Sequence, residues 1–248
     1  MSLVRSENWR SQGVADLEPR AWEALRQTER SVLVTAGAGA GKTEFLAQKA
    51  TYLLQTGLCP TPKRILAISF KRDAARNLSE RVAKRCPPDQ ARRFNSYTFD
   101  AFAKGLVDRF RAAIPQPYCP PADYRIVMPV NRDHREFLDS HDFRGVTDRD
   151  FERAIARARL PIANEGSELQ RAVAEYWHAQ YNSYEDVLLS FPMLNRLVEL
   201  LIRENPSILK ALHLTYPVVF LDEFQDTTSA QFQLLRTAFD GSGAIFTA

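Results

Sequence analysis

The stretch that most constrains this chain runs Ser31-Val32-Leu33-Val34-Thr35-Ala36-Gly37-Ala38-Gly39-Ala40-Gly41-Lys42-Thr43. An apolar, β-branched run stops abruptly in small residues, and Lys-Thr then opens a helical pattern. The spacing predicts a strand over 31–36, a loop, and a helix from Lys42 to about Gln55. The loop residues Ala36, Gly37, Ala38, Gly39, Ala40 and Gly41 suit phosphate. Glycine lets successive backbone N–H groups turn inward without Cβ clashes and form an anion nest. The start of the next helix adds partial positive charge. Lys42 is placed to reach the β/γ-phosphates, and the Thr43 hydroxyl to ligate Mg²⁺. The usual pattern begins with glycine; here that place holds Ala36.

A second apolar strand of the same kind, Pro217 to Leu221, delivers Asp222-Glu223 at its C-terminal end. Open α/β sheets place ligands beyond the carboxyl ends of their strands, so both motifs are expected to open on one crevice. There Asp222 would hold Mg²⁺, Glu223 would orient and deprotonate an attacking water, and Gln225 would sense the γ-phosphate. The pairing with Lys42-Thr43 separates these acids from an ordinary solvated strand end.

Between the two motifs, strands are expected over 64–70 and 94–99, with helices over 71–85 and from Asp100 to about Ala113. Strand–helix alternation predicts right-handed crossovers and a parallel sheet. Ahead of them, residues 1–16 form a loose lead-in and Pro19 starts a short helix to about Gln27. Five prolines between Pro115 and Pro129 mark an irregular connector. Patterns from about Asp133 to Lys210 are helical with almost no strand signal, including segments 151–158 and 169–181. Ser183 with Asp186 reads as a capping box opening a further helix. Sheet character returns at Pro217, followed by a helix over 229–239 and a strand over 244–248. The expected division is a sheet domain over 17–113 and 212–248, interrupted by a helical insertion over 114–211.

Charge and cysteine usage narrow the class. Three separated cysteines offer neither a disulfide framework nor a zinc site. No apolar run approaches the ~18 residues of a membrane span, so a cytoplasmic protein without a membrane partner is expected. Net charge is only +3, but between Lys63 and Arg93 ten basic residues face three acids. Such clustering suits nucleic-acid phosphates and equally a solvated helix face.

With these motifs in order, the chain from about Leu17 onward resembles the first motor domain of superfamily 1A DNA helicases, the UvrD/Rep/PcrA group. Residues 36–43 resemble its first motif, where alanine in the leading place is normal. Ile65 to Val82, with Ser69-Phe70-Lys71 and Ala74-Ala75, resembles its DNA-backbone motif. Thr98-Phe99-Asp100-Ala101-Phe102 resembles its Thr-Phe-His-Ser-Phe element, with Asp100 in the histidine's place. Leu221-Asp222-Glu223-Phe224-Gln225-Asp226-Thr227 resembles its Asp-Glu-x-Gln-Asp-Thr signature. The segment Tyr184-Glu185-Asp186, with Glu204-Asn205-Pro206, resembles the approach to that signature.

The resemblance implies a RecA-like P-loop NTPase fold interrupted by an all-helical subdomain, and ATP hydrolysis coupled to movement along single-stranded DNA. It makes Ser69, Phe70, Lys71, Thr98 and Phe102 candidate DNA-facing residues. For Phe99 and Phe102, core packing is an equal alternative. Ala21 stands where the family usually has an adenine-contacting glutamine, and Gln27 falls six residues later. A second RecA-like domain with an arginine finger, in the same or a partner chain, is implied as well. These 248 residues alone are therefore expected to bind nucleotide but hydrolyse it poorly. The rival function is a nucleotide-gated subunit of a repair or anti-phage complex, acting through a partner protein.

Overall fold

The computed structural model describes residues 3–35, 41–162, 166–181 and 186–248. The chain divides into two compact units, one of residues 1–102, 210–227 and 239–248, the other of residues 103–209 and 228–238.

In the first unit, α1 (Pro19–Arg26) begins with proline, whose missing N–H costs nothing at a helix start. It leads to α2 (Lys42–Gln55), then β1 (Ile65–Ser69), α3 (Arg72–Ala83), the short α4 (Pro88–Ala91), β2 (Phe94–Thr98) and the first residues of α5 (Phe99–Phe110). Every residue of β1 is buried, as a strand covered on both faces of a parallel sheet must be. The helix and strand expectations for this region hold within two or three residues.

The second unit carries the rest of α5, a two-residue β3 (Arg125–Ile126), and helices α6 (Asn131–Ser140), α7 (Asp148–Arg157) and α8 (Glu168–Tyr181). After β4 (Leu188–Leu189) come α9 (Phe191–Glu204) and the start of α10 (Pro206–Thr215). Its core includes an aromatic knot in which Phe137 stacks on Phe151 at 5.7 Å and meets Tyr176 edge-on at 5.1 Å.

This region departs from expectation in one place. Ser183 lies outside the described residues, and no helix follows Asp186; Leu188–Leu189 pair in parallel with Arg125–Ile126 instead. Asp186 holds Arg125 at 2.9 Å. Helix α9 starts only at Phe191, where Pro192 stands within its first two positions.

The chain then returns to the first unit through β5 (Val218–Leu221), while α11 (Ser229–Phe239) contributes residues up to Ala238 to the second, and β6 (Ile245–Thr247) completes the sheet. The sheet order is β2-β1-β5-β6, all parallel. Beyond β6, Val32 pairs in parallel with Thr247, and the Val34 N–H donates to the Ala248 carbonyl at 2.7 Å. The expected strand over 31–36 is thus a short pairing, with Ala36 outside the described residues.

One sheet face packs on α2 and α3: Ile65, Ala67, Val218 and Phe220 share a core cluster with Phe45, Leu53 and Leu78. Lys49 is buried in that same cluster's helix, and its ammonium donates to the Ala24 and Gln27 carbonyls at 2.9 and 3.1 Å. It thereby satisfies carbonyls that the end of α1 leaves open. Burial lowers its pKa to about 8. Among the described residues no helix is long and apolar enough to cross a membrane.

Candidate active site

Gly41 precedes α2 with φ 86° and ψ 23°, a left-handed conformation that a side chain would oppose. It turns the chain so that Lys42 and Thr43 form the first turn of α2. Residues Ala36 to Ala40 lie outside the described residues. On the neighbouring side, the Asp222 N–H donates to the Ile68 carbonyl at 2.9 Å, extending the β5–β1 ladder to the strand's last residue. Asp222 and Glu223 therefore emerge at the carboxyl edge of the sheet, opposite the start of α2.

The two motifs meet. Lys42 Nζ stands 3.6 Å from Glu223 Oε2, and Gln225 Nε2 donates a short hydrogen bond to that same oxygen. Asp222 stands close enough to Lys42, Thr43 and Glu223 for all three to act on its carboxyl. Lys42, Asp222, Glu223 and Gln225 face a cleft of about 400 Å³, walled also by Val34, Phe45 and Ala248.

Glu223 adopts φ 55° and ψ 46°, left-handed for a residue with a long side chain. For an L-residue that conformation costs about 1–2 kcal/mol, and such outliers persist where surroundings over-determine them. Asp222 is only 6% exposed. Burial raises its pKa, the Glu223 charge raises it further, and Lys42 and the Thr43 hydroxyl oppose the shift. A carboxylate held reluctantly ionised is one whose charge a cation would restore. Among the described residues no group of three or more His, Cys, Asp or Glu could chelate a metal unaided. A hard cation here would draw on Thr43, Asp222 and oxygens brought by a ligand, the donor set Mg²⁺ takes alongside phosphates.

A second polar cluster, unsignalled by any local motif, lies at the start of α2. Glu44, next to Thr43, accepts from Arg85 Nη2 and Gln48 Nε2, both at 2.8 Å, and from Arg81 Nη1 in a short contact. Arg85 also donates to the Gln12 and Arg81 carbonyls, both at 2.9 Å. Two members of the basic run are thus committed inside the fold. Arg76 is taken by Asp73 at 3.1 Å and Glu80 at 3.9 Å. For Arg81 and Arg85 only long-range pairing reveals this, whereas the Arg76 pairs lie within its own helix.

The strand-end residues separate by burial. Phe70 is 49% exposed and Lys71 is exposed, directly after β1. Tyr97 on β2, absent from the sequence expectations, is 38% exposed. Thr98 accepts from the Ala101 N–H at 3.1 Å, capping α5. Two assignments need correction. Ser69 is fully buried, because β1 is covered on both faces; alternation puts it on the same side as Ala67. Phe102 and Phe99 are each 5% exposed, so packing is their role and neither offers a ring face. Asp100 is half-buried, its pKa raised by burial with Arg72 opposing. Ala21 packs against the core, while Gln27 Oε1 accepts from the Glu29 N–H at 3.0 Å.

A parallel sheet gathering a lysine, a threonine and two acids at its carboxyl edge defines an α/β protein of the ligand-at-the-strand-ends class. Within that class, residues 17–248 match the UvrD/REP helicase N-terminal domain family, and the chain belongs to it. It is 30% identical over 229 residues to the ATP-dependent DNA helicase PcrA of Staphylococcus aureus, and 29% over 233 residues to that of Leuconostoc citreum. A probable DNA helicase II homolog of Mycoplasma capricolum is 26% identical over 230 residues. Each alignment covers 86% of this chain, which spans about 30% of the length of these relatives.

Proposed function

We propose that residues 1–248 form the N-terminal motor half of an ATP-dependent DNA helicase or translocase that couples Mg-ATP hydrolysis to movement on single-stranded DNA. The observation that carries this reading is the convergence of Lys42, Asp222, Glu223 and Gln225 on one cleft, with Thr43 next to Lys42 in the first turn of α2. Lys42 neutralises the β/γ-phosphates once it exchanges Glu223 for ligand oxygens. Thr43 and Asp222 would hold Mg²⁺, which when bound offsets phosphate charge. Glu223, released from Lys42, orients a water and takes its proton, while Gln225 keeps its carboxylate directed into the cleft.

Nucleic acid is assigned to the exposed strand ends. Phe70 presents a ring on which a base can stack, and Lys71 supplies charge for a phosphate. Thr98, at the neighbouring strand end, lies along the same edge. The names of the relatives support the polymer, since those proteins are DNA helicases. A second RecA-like domain, in the same or a partner chain, would supply the arginine that such phosphoryl transfer uses, an effect of ~10³–10⁵ in kcat.

Binding of a fluorescent ATP analogue tests the half-site directly: saturable, Mg²⁺-dependent binding is expected, and its persistence in Lys42→Ala would overturn the assignment. ATPase measured with the second motor domain present should rise on adding single-stranded DNA. No rise would sink the motor reading while leaving the nucleotide site standing.

A further inference from the structure

Ser69 ends β1 fully buried, and its hydroxyl is without a hydrogen-bond partner. A buried hydroxyl left unsatisfied costs about 1–3 kcal/mol, so native folds retain few of them without an unrecorded water or ion. The neighbouring strand shows the ordinary solution on the same face: Ser96, beside Ala67 in the ladder, donates to the Ala75 carbonyl at 2.8 Å. Ser69 has no such outlet.

Its position explains what could supply one. Ile68 pairs with Leu221, and the Asp222 N–H continues that ladder to the Ile68 carbonyl at 2.9 Å. Ser69 therefore lies directly alongside Asp222, with Cα atoms about 4.8 Å apart as in any adjacent strands. Both lie on the sheet face that packs on α2: Ala67 and Phe220, two residues before Ser69 and Asp222, pair in the ladder and share the α2 cluster. The hydroxyl thus lies in the strand position next to the carboxylate assigned to the cation.

We infer that Ser69 is a positioning residue for Mg²⁺, its unpartnered hydroxyl placed to meet the water shell of a cation that Asp222 would hold, and not a contact to nucleic acid. The inference rests on the nucleotide reading above. It also gives that site a link of one peptide bond to Phe70, so a displacement of the cation shell is felt next to the exposed ring. Thr247 is also buried and unpartnered, but its ladder partner is Phe220, two residues short of Asp222. It serves as the control.

The test titrates Mg²⁺ against a fluorescent ATP analogue bound to Ser69→Ala, Ser69→Thr and Thr247→Val, with oligo-dT anisotropy in parallel. Outer-shell partners of metal ligands typically contribute 10–100-fold in affinity, so Ser69→Ala should need about tenfold more Mg²⁺. Its nucleotide affinity in EDTA, its melting temperature and its oligo-dT affinity should stay within twofold or within error. Ser69→Thr, which keeps the hydroxyl, and Thr247→Val should titrate like the wild type. An unchanged Mg²⁺ requirement in Ser69→Ala overturns the inference, as does an equal loss in Thr247→Val. Loss of oligo-dT affinity with Mg²⁺ dependence intact returns Ser69 to the nucleic-acid surface. Failure of the wild type to bind the analogue overturns instead the nucleotide reading on which all of this stands.

Discussion

Two glutamates meet basic side chains near the start of α2, in opposite ways. Glu44 is 17% exposed at its side chain and held by two arginines and a glutamine. Glu223 is 41% exposed, with one lysine at 3.6 Å and one glutamine, on a left-handed backbone. The first is a fastening: its partners come from α2 itself and the end of α3, and loss of the carboxylate strands a buried arginine charge. The second is a latch, loosely paired and able to exchange partners when a ligand arrives. Ion pairs of the same chemistry therefore differ in purpose according to burial and the number of donors.

The sharpest way to break this contrast is at the latch. Glu223→Gln should lower DNA-stimulated turnover by roughly 10²–10⁴-fold, the usual worth of a positioned base, while the ATP analogue still binds with affinity within a few-fold of wild type. Equal losses in both would make Glu223 a binding residue only. At the fastening the pattern should invert. Glu44→Ala leaves Arg85, 13% exposed at its side chain, without its carboxylate. Stranding a buried charge costs about 3–5 kcal/mol, which lowers the melting temperature by roughly 6–20 °C for a chain of this size. A melting temperature unchanged by calorimetry would show that the cluster is ornamental.

Phe70→Ala tests the exposed edge, with an expected loss of about 1–3 kcal/mol in oligo-dT affinity and no change in analogue binding. Smaller effects follow from two of the shifted pKa values. Asp222 titrates above the unfolded carboxyl, so the folded state holds its proton more tightly and stability falls as pH rises through that range. Asp222→Asn should therefore melt higher than wild type at pH 7, with the gain vanishing at pH values below the unfolded pKa. Lys49 has its folded pKa lowered to about 8. The unfolded chain then binds more protons between pH 8 and about 10.4, so stability from this group rises across that window. Lys49→Met should flatten the slope of urea midpoints over those pH values.

Much of this was legible in the residues themselves. Val218 to Leu221 and Ile65 to Ser69 are apolar runs too short for helices, and Gly41-Lys42-Thr43 marks the turn between strand and helix. The meeting of Lys42 with Glu223 followed from the rule that strand ends share a crevice. What escaped was side-chain direction and distant pairing. Ser69 and Phe102 sit in motifs where only alternation and packing decide which way they face. Glu44 depends on arginines 37 and 41 residues away, which no local pattern reports. Phe191 begins α9 late because Leu188 and Leu189 find partners in Arg125 and Ile126, some sixty residues earlier.

The left-handed backbone at Glu223 has an evolutionary corollary. Glycine, asparagine and aspartate occupy that conformation more readily than glutamate does. A lineage in which hydrolysis is no longer selected would gain stability by exchanging this one residue, while Lys42 and Asp222 could persist for binding. Position 223 is thus where relatives that only sense nucleotide should first diverge from those that consume it, and a survey of that single column would sort them.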